Sequence, residues 1–177
     1  MAKADPAWLT KDQWRPVKAP LRGSPTARSG AVLLDVLAQF RVTEAARYRP
    51  TGRDTWCNIY VWDSTLALGC EVPHWYDVNT GDPAPMGKGN EMSANVMCDW
   101  LADKRHGWLP LSRADAVARA SFGFPVVLAW KNPGRGASHV AMLLPDGSIA
   151  QAGRTCLWQA PVAHGFGRYA PICFTHN

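Results

Sequence analysis

The sequence predicts an α+β domain in which helices come first and an antiparallel sheet follows. Apolar residues recur at helical spacing through the first two-thirds of the chain. The last third instead breaks into short strand-like runs separated by Asn132-Pro133-Gly134-Arg135-Gly136 and Pro145-Asp146-Gly147. A chain of 177 residues with 47% hydrophobic content is long enough for one well-formed core and short for two.

Each element has a local reason. Residues 1–29 hold Pro6, Pro16, Pro20 and Pro25 and six basic against two acidic side chains, the composition of an arm that Trp8 and Trp14 can pin to the body. The folded unit is expected over 30–177. A helix is predicted from Ser29 to Phe40, where Val32, Leu33, Val36 and Phe40 share a face, and a basic loop from Arg47 to Arg53 follows. The next helix has Asp54 or Thr55 as its N-cap and Gly69 as its stop. Residues 70–90, with prolines and glycines around His74-Trp75-Tyr76, read as irregular. Two further helices run from Ser93 to Asp103 and from Ser112 to Ser121, the latter with Asp115 placed for a capping box. Residues 125–131, 138–144 and 148–152 form an antiparallel meander, and a last strand covers 169–174.

Charge and cysteine usage bound the function. The 19 Lys and Arg against 14 Asp and Glu, a net charge of +5, favour an anionic partner without choosing among nucleic acid, membrane surface and acidic wall polymer. No nucleic-acid recognition motif accompanies the charge. The run Ala31 to Phe40 is interrupted by Asp35 and is far shorter than a membrane span, and residues 1–20 lack the apolar core of a secretory signal. The expectation is a soluble protein made in the cytoplasm. The five cysteines Cys57, Cys70, Cys98, Cys156 and Cys173 lack the paired spacing of a zinc site, so no metal is expected and reduced thiols are favoured.

Cys57 is the cysteine whose position calls for an explanation. A packing cysteine would sit among Ile59, Trp62 and Leu66, whereas Cys57 opens the helix ahead of them. There the free N–H groups and the partial positive charge of the helix end favour a thiolate and can bind an oxyanion. Asp54 acts in the opposite direction, since a nearby carboxylate raises a thiol pKa. Among the histidines, only His139 begins an apolar strand; His74, His106, His164 and His176 fall in loops or near the chain end. If Pro145-Asp146-Gly147 is a three-residue hairpin loop with Gly147 left-handed, Leu144 faces Ser148 and Ala141 faces Gln151. His139 and Gln151 are then diagonal neighbours on one face. Nucleophile, base and orienting residue can thus be Cys57, His139 and Gln151. The plainer reading is a buried structural thiol, a strand histidine and a glutamine bonded to backbone.

The segments Arg47-Tyr48-Arg49-Pro50 with Thr55-Trp56-Cys57-Asn58, Gly136-Ala137-Ser138-His139-Val140-Ala141 and Ile149-Ala150-Gln151-Ala152-Gly153 resemble NlpC-type papain-like cysteine peptidases. That superfamily of cell-wall hydrolases includes phage endolysins and amidase effectors of type VI secretion. The resemblance spans residues 47–153 and implies the papain-like form of the α+β fold, with N-terminal helices packed on a C-terminal antiparallel sheet. It also implies hydrolysis of amide bonds in peptidoglycan stem peptides, without a cofactor. Cys57 would be the nucleophile, His139 the base, Gln151 the third residue and the Tyr48 hydroxyl an oxyanion donor. Two positions depart from the usual pattern: Asn58 replaces a small Ser, and Gln151 replaces the commoner His or Asn. Asn58 and the loop aromatics His74, Trp75 and Tyr76 are the candidate substrate-binding residues.

Trp62, Trp100 and Trp130 fall in core patterns, and Asp63 and Asp99 read as solvated or capping residues. Such an enzyme would reach the wall through a holin-type or secretion route, with a cognate immunity protein as a further partner. Two rival readings remain. An acyltransferase would use the same thioester chemistry, and a non-catalytic wall-binding domain would rely on the basic arm and loop aromatics.

Overall fold

A helix buried on nearly every side, laid against an antiparallel sheet, organises the molecule. The structure is a computed structural model and describes residues 12–17, 26–134 and 136–177. After a short 3-10 turn at Asp12–Trp14 come α1 (Gly30–Ala38), a 3-10 turn at Ala46–Tyr48, and α2 (Cys57–Ala67). The two-residue strands β1 (Trp75–Tyr76) and β2 (Asn90–Glu91) pair with each other across the irregular excursion. There follow α3 (Ala94–Ala102), β3 (Leu109–Leu111), α4 (Arg113–Ser121), β4 (Val126–Trp130), β5 (His139–Leu143), β6 (Ile149–Gln151), β7 (Leu157–Ala160), α5 (Val162–Phe166) and β8 (Ile172–Thr175). The main sheet has the order β3-β8-β4-β5-β6-β7, with every neighbouring pair antiparallel. The fold is α+β, and one hydrophobic core gathers residues from α1, α2, α3 and the sheet.

Serine caps set three of the helices. Ser29 accepts the Val32 N–H at 3.2 Å, Ser93 accepts that of Val96 at 3.4 Å, and Ser112 accepts that of Asp115 at 3.1 Å. The Asp115 carboxylate accepts the Ser112 hydroxyl at 2.6 Å, so the expected box closes on the side chain. On α1 the buried residues are Leu33, Val36 and Leu37, whereas Val32, expected on that face, is 38% exposed. Helix α2 stops where Gly69 takes φ of +74°, as its sequence required. Its N-cap is Trp56, with no side-chain cap, rather than Asp54 or Thr55. Asp54 is held two residues upstream by paired backbone bonds to Thr51 at 3.0 and 3.1 Å. Trp56 therefore gives the first turn of α2 no capping side chain.

Residues Cys57 to Thr65 of α2 are all buried, which removes any solvated face for Asp63. Asp63 is fully buried rather than solvated, and Arg47 makes this tolerable. The Arg47 guanidinium donates to both carboxylate oxygens at 2.7 and 2.9 Å, and the Tyr48 hydroxyl donates to Oδ2 at 2.7 Å. Burial pushes the Asp63 carboxyl upward, and these donors pull it back. Arg47 also donates to the carbonyls of Asp12 and, at 2.9 Å, Arg15. Trp14 completes the docking: its carbonyl accepts the Trp75 indole N–H at 3.0 Å and its own indole donates to Glu91 at 3.1 Å. Residues 12–17 of the basic arm thus lie against the body through Trp14; Trp8 falls outside the described residues. Asp99 is exposed as expected, paired with Lys131 at 2.5 Å.

Besides the short strands β1 and β2 in the stretch read as irregular, three elements had no readable signal. Strand β3 is three residues long with Pro110 at its centre, and it forms only as the edge partner of β8. Strand β7 is bent by Gln159 at φ of +51° and joins β6 through a register shift. Helix α5 has five residues, one of them Gly165, too few for a period.

Replacing Arg47 with Met is expected to destabilise the protein by about 3–5 kcal/mol in urea unfolding, because Asp63 stays buried without its counter-charge. Arg47→Met combined with Asp63→Leu should recover most of that loss. A single-variant loss under about 1 kcal/mol would show that α2 does not depend on the pair.

Candidate active site

Cys57 is the first residue of α2 and only 3% exposed, because that helix packs against β5 and β6. Burial pushes its thiol pKa up, while backbone N–H groups of Val140, Asn58 and Cys57 itself pull it down. Burial, not the Asp54 carboxylate, is what raises it. The contribution of Val140 places the sulfur beside the start of β5, next to His139 in the chain.

The hairpin after β5 has the register its sequence predicted. Met142 faces Ala150, Leu143 faces Ile149, Leu144 N–H donates to the Ser148 carbonyl at 2.8 Å, and Gly147 has φ of +83°. His139 and Gln151 consequently meet, with Nε2 of the ring 2.5 Å from Oε1 of the amide. The amide's orientation follows from its other end, since its Nε2 donates at 3.3 Å to the Thr155 carbonyl, which can only accept. The imidazole proton therefore sits on Nε2, and Nδ1 is the basic nitrogen. Burial lowers the His139 pKa, and the Gln151 bond acts against that. Among the described residues no hydrogen bond joins Cys57 to His139. The resting site thus holds a neutral thiol and a neutral imidazole; such contacts commonly tighten only with substrate.

The two residues open onto adjoining cavities. One of about 430 Å³ is lined by Cys57 with Trp14, Asp54, Glu91 and Asn95. The other, of about 320 Å³, is lined by His139, Gln151, Arg154 and Gly165. Arg53, Thr55, Ala137 and Ser138 line both, which makes them two lobes of one cleft. Compared with models of protein families and with curated proteins, the chain matches none.

The cleft includes residues that sequence reasoning missed. Asn95 accepts the Ser138 N–H at 2.8 Å and, through Nδ2, donates to the Gly136 carbonyl at 3.5 Å, holding the loop that leads into His139. Helix α5 closes the other side. The Phe166 ring lies 4.9 Å from that of His139, and a Cβ on Gly165 would fall 2.2 Å from Gln151 Oε1. Position 165 must be glycine for the backbone to approach Gln151 this closely. Neither Asn95 nor Gly165 stands in a local pattern that announces such a contact. Trp14 reaches the cleft because the arm docks, and Glu91 reaches it from β2, paired opposite Trp75.

Other predicted residues do not reach it as expected. Tyr48 is buried with its one hydroxyl proton given to Asp63, and burial and that carboxylate push its pKa well above the ordinary value. It is a donor to the core and not to an oxyanion. Asn58 lines the Cys57 lobe, but its amide N–H donates to the Met92 carbonyl at 2.9 Å. His74 is fully buried, stacked on Trp62 at 5.1 Å and edge-on to Trp75 at 5.2 Å, which excludes substrate contact. Trp75 is 8% exposed, and Tyr76 is half-buried in β1; neither lines the cleft. This cluster supports the docked Trp14 from behind, with the Trp14 and Trp75 rings 6.1 Å apart. All five cysteines are free thiols, and among the described residues no three His, Cys, Asp or Glu side chains converge to hold a metal.

Gly165→Ala is expected to destabilise the protein by about 1–3 kcal/mol through overpacking and to displace Gln151. Because the Gln151 bond raises the His139 pKa, NMR titration should find that pKa lower in the variant; an unchanged value would separate Gly165 from the pair. Burial sets the pKa of His74 at about 3, against an ordinary 6.5. The unfolded ring takes up its proton below 6.5 and the folded ring does not, so stability present above 6.5 is lost as pH falls toward 3. Between pH 7 and 5 the loss from His74 should be about 2 kcal/mol. Urea midpoints of His74→Phe should show that much less acid sensitivity.

Proposed function

We propose that the protein is a cysteine amidase of papain-like architecture that hydrolyses amide bonds in peptidoglycan stem peptides. The observation that carries the chemistry is a cysteine at an uncapped helix N-terminus, beside the strand whose histidine is held in one tautomer by Gln151. The papain-like reading draws support from that order: nucleophile at the head of a central helix, then base and orienting residue on consecutive antiparallel strands. The choice of peptidoglycan draws on the sequence segments that resemble the NlpC-type enzymes and on the basic net charge.

In this mechanism Nδ1 of His139 takes the thiol proton as Sγ attacks the carbonyl carbon, so burial favours a neutral pair that separates charge only during reaction. The first-turn N–H groups of α2 stabilise the oxyanion, the role Tyr48 does not fill; one such donor is worth about 10²–10³ in rate. The C–N bond breaks and the imidazolium protonates the leaving nitrogen. Water then gives a proton to His139 and attacks the thioester, releasing the carboxylic acid and returning the proton to sulfur. No cofactor enters. Delivery by a holin or secretion machine, and neutralisation by an immunity protein, belong to the same reading.

Digestion of purified sacculi by the unmodified protein and by Cys57→Ala, with mass spectrometry of the released fragments, tests the proposal. New amino and carboxyl ends from the unmodified protein alone are expected. Wall binding by both proteins without fragments from either would make this a binding module. Fragments transferred onto an added amine would make it an acyltransferase.

A further inference from the structure

Charge divides the cleft into two unlike lobes. Asp54 and Glu91 stand on the wall of the Cys57 lobe, whereas the His139 lobe carries Arg154 and His164 and, among the described residues, no carboxylate. Arg53 lines both, at the junction. Among the described residues neither Arg53 nor Arg154 forms an ion pair with an acidic side chain. Nη1 of Arg154 donates to the Gly52 carbonyl at a long 3.5 Å. That contact joins the loop before Cys57 to the turn after Gln151, so Arg53 and Arg154 line one cavity.

The reaction dictates what enters that cavity. A general acid must reach the nitrogen it protonates, so the amine half of the substrate lies on the His139 side while the acyl half stays on Cys57. An amine half entering a lobe with two guanidinium groups and no carboxylate gains most by carrying a carboxylate itself. Guanidinium binds that group through two parallel charge-assisted hydrogen bonds.

The geometry points to a carboxylate-binding subsite formed by Arg53 and Arg154, selecting amides whose amine component is an amino acid with a free carboxylate close to the new amine. This rests on the amidase reading and specifies the amine half of its substrate.

Two substrates separate the outcomes: untreated sacculi, and sacculi whose carboxylates have been converted to methylamides with carbodiimide and methylamine. The unmodified protein should release fragments from untreated sacculi about ten- to hundredfold faster than from blocked ones. The double variant Arg53→Gln/Arg154→Gln should lose that factor, cleaving untreated and blocked sacculi at equal rates. Its Cys57 should still be alkylated by iodoacetamide at the unmodified protein's rate, which shows the nucleophile's surroundings intact. Equal rates on the two substrates, or a preference that survives in the double variant, would overturn the subsite and leave the amidase standing. Failure of the unmodified protein to cleave either substrate would overturn the amidase reading and the subsite with it.

Discussion

The Arg47–Asp63 ion pair is the contact on which the rest of this structure depends. A helix buried on all sides cannot carry a carboxylate unless a counter-charge comes with it, and Arg47 is itself only 10% exposed in its side chain. One guanidinium satisfies Asp63, fixes the turn that carries Tyr48, and holds the carbonyls of Asp12 and Arg15. The central helix, the loop before it and part of the N-terminal arm are thereby tied to a single charge. The arm in turn forms one wall of the cleft through Trp14.

Burial of α2 also shapes the chemistry at its end. The same desolvation that raises the Cys57 thiol pKa lowers that of His139, so both groups are neutral at rest. In the proposed amidase a neutral pair would keep the thiol from reacting until a substrate occupies the cleft, and the first turn of α2 would carry the demand for charge stabilisation. Under that proposal the absence of a side-chain cap at Trp56 would have a chemical use, since a capping oxygen would occupy donors that an oxyanion needs.

The positioning of His139 comes from three separate parts of the chain. Gln151 fixes the proton on the ring, Asn95 on α3 holds the loop that leads into β5, and the glycine of α5 lets its backbone press against Gln151. Their sequence separations range from 12 to 44 residues from His139, and each contact exists only after the sheet has formed. A site supported in this way is rigid because its supports belong to packed elements rather than to one loop.

The positions of Cys57 at a helix start and of His139 beside Gln151 were legible in the sequence because each rests on a short-range rule. A cysteine at a helix start, a histidine at a strand start and a Pro-Asp-Gly turn that sets the register all act within a few residues. The helix starts at Ser29, Ser93 and Ser112 and the stop at Gly69 were readable for the same reason. Tyr48, His74 and Asp63 were misread because their roles depend on what packs around them, and hydrophobic periodicity does not distinguish an aromatic loop on the surface from one beneath a docked arm. Strands β3 and β7 and helix α5 carry too few residues to show a period and are stabilised by their neighbours in the sheet. Local hydrogen-bonding chemistry thus determined most of the elements and the pairing of His139 with Gln151. Long-range burial decided which polar groups serve the core and which charges line the cleft, because desolvation depends on the whole fold and not on the neighbouring residues in sequence.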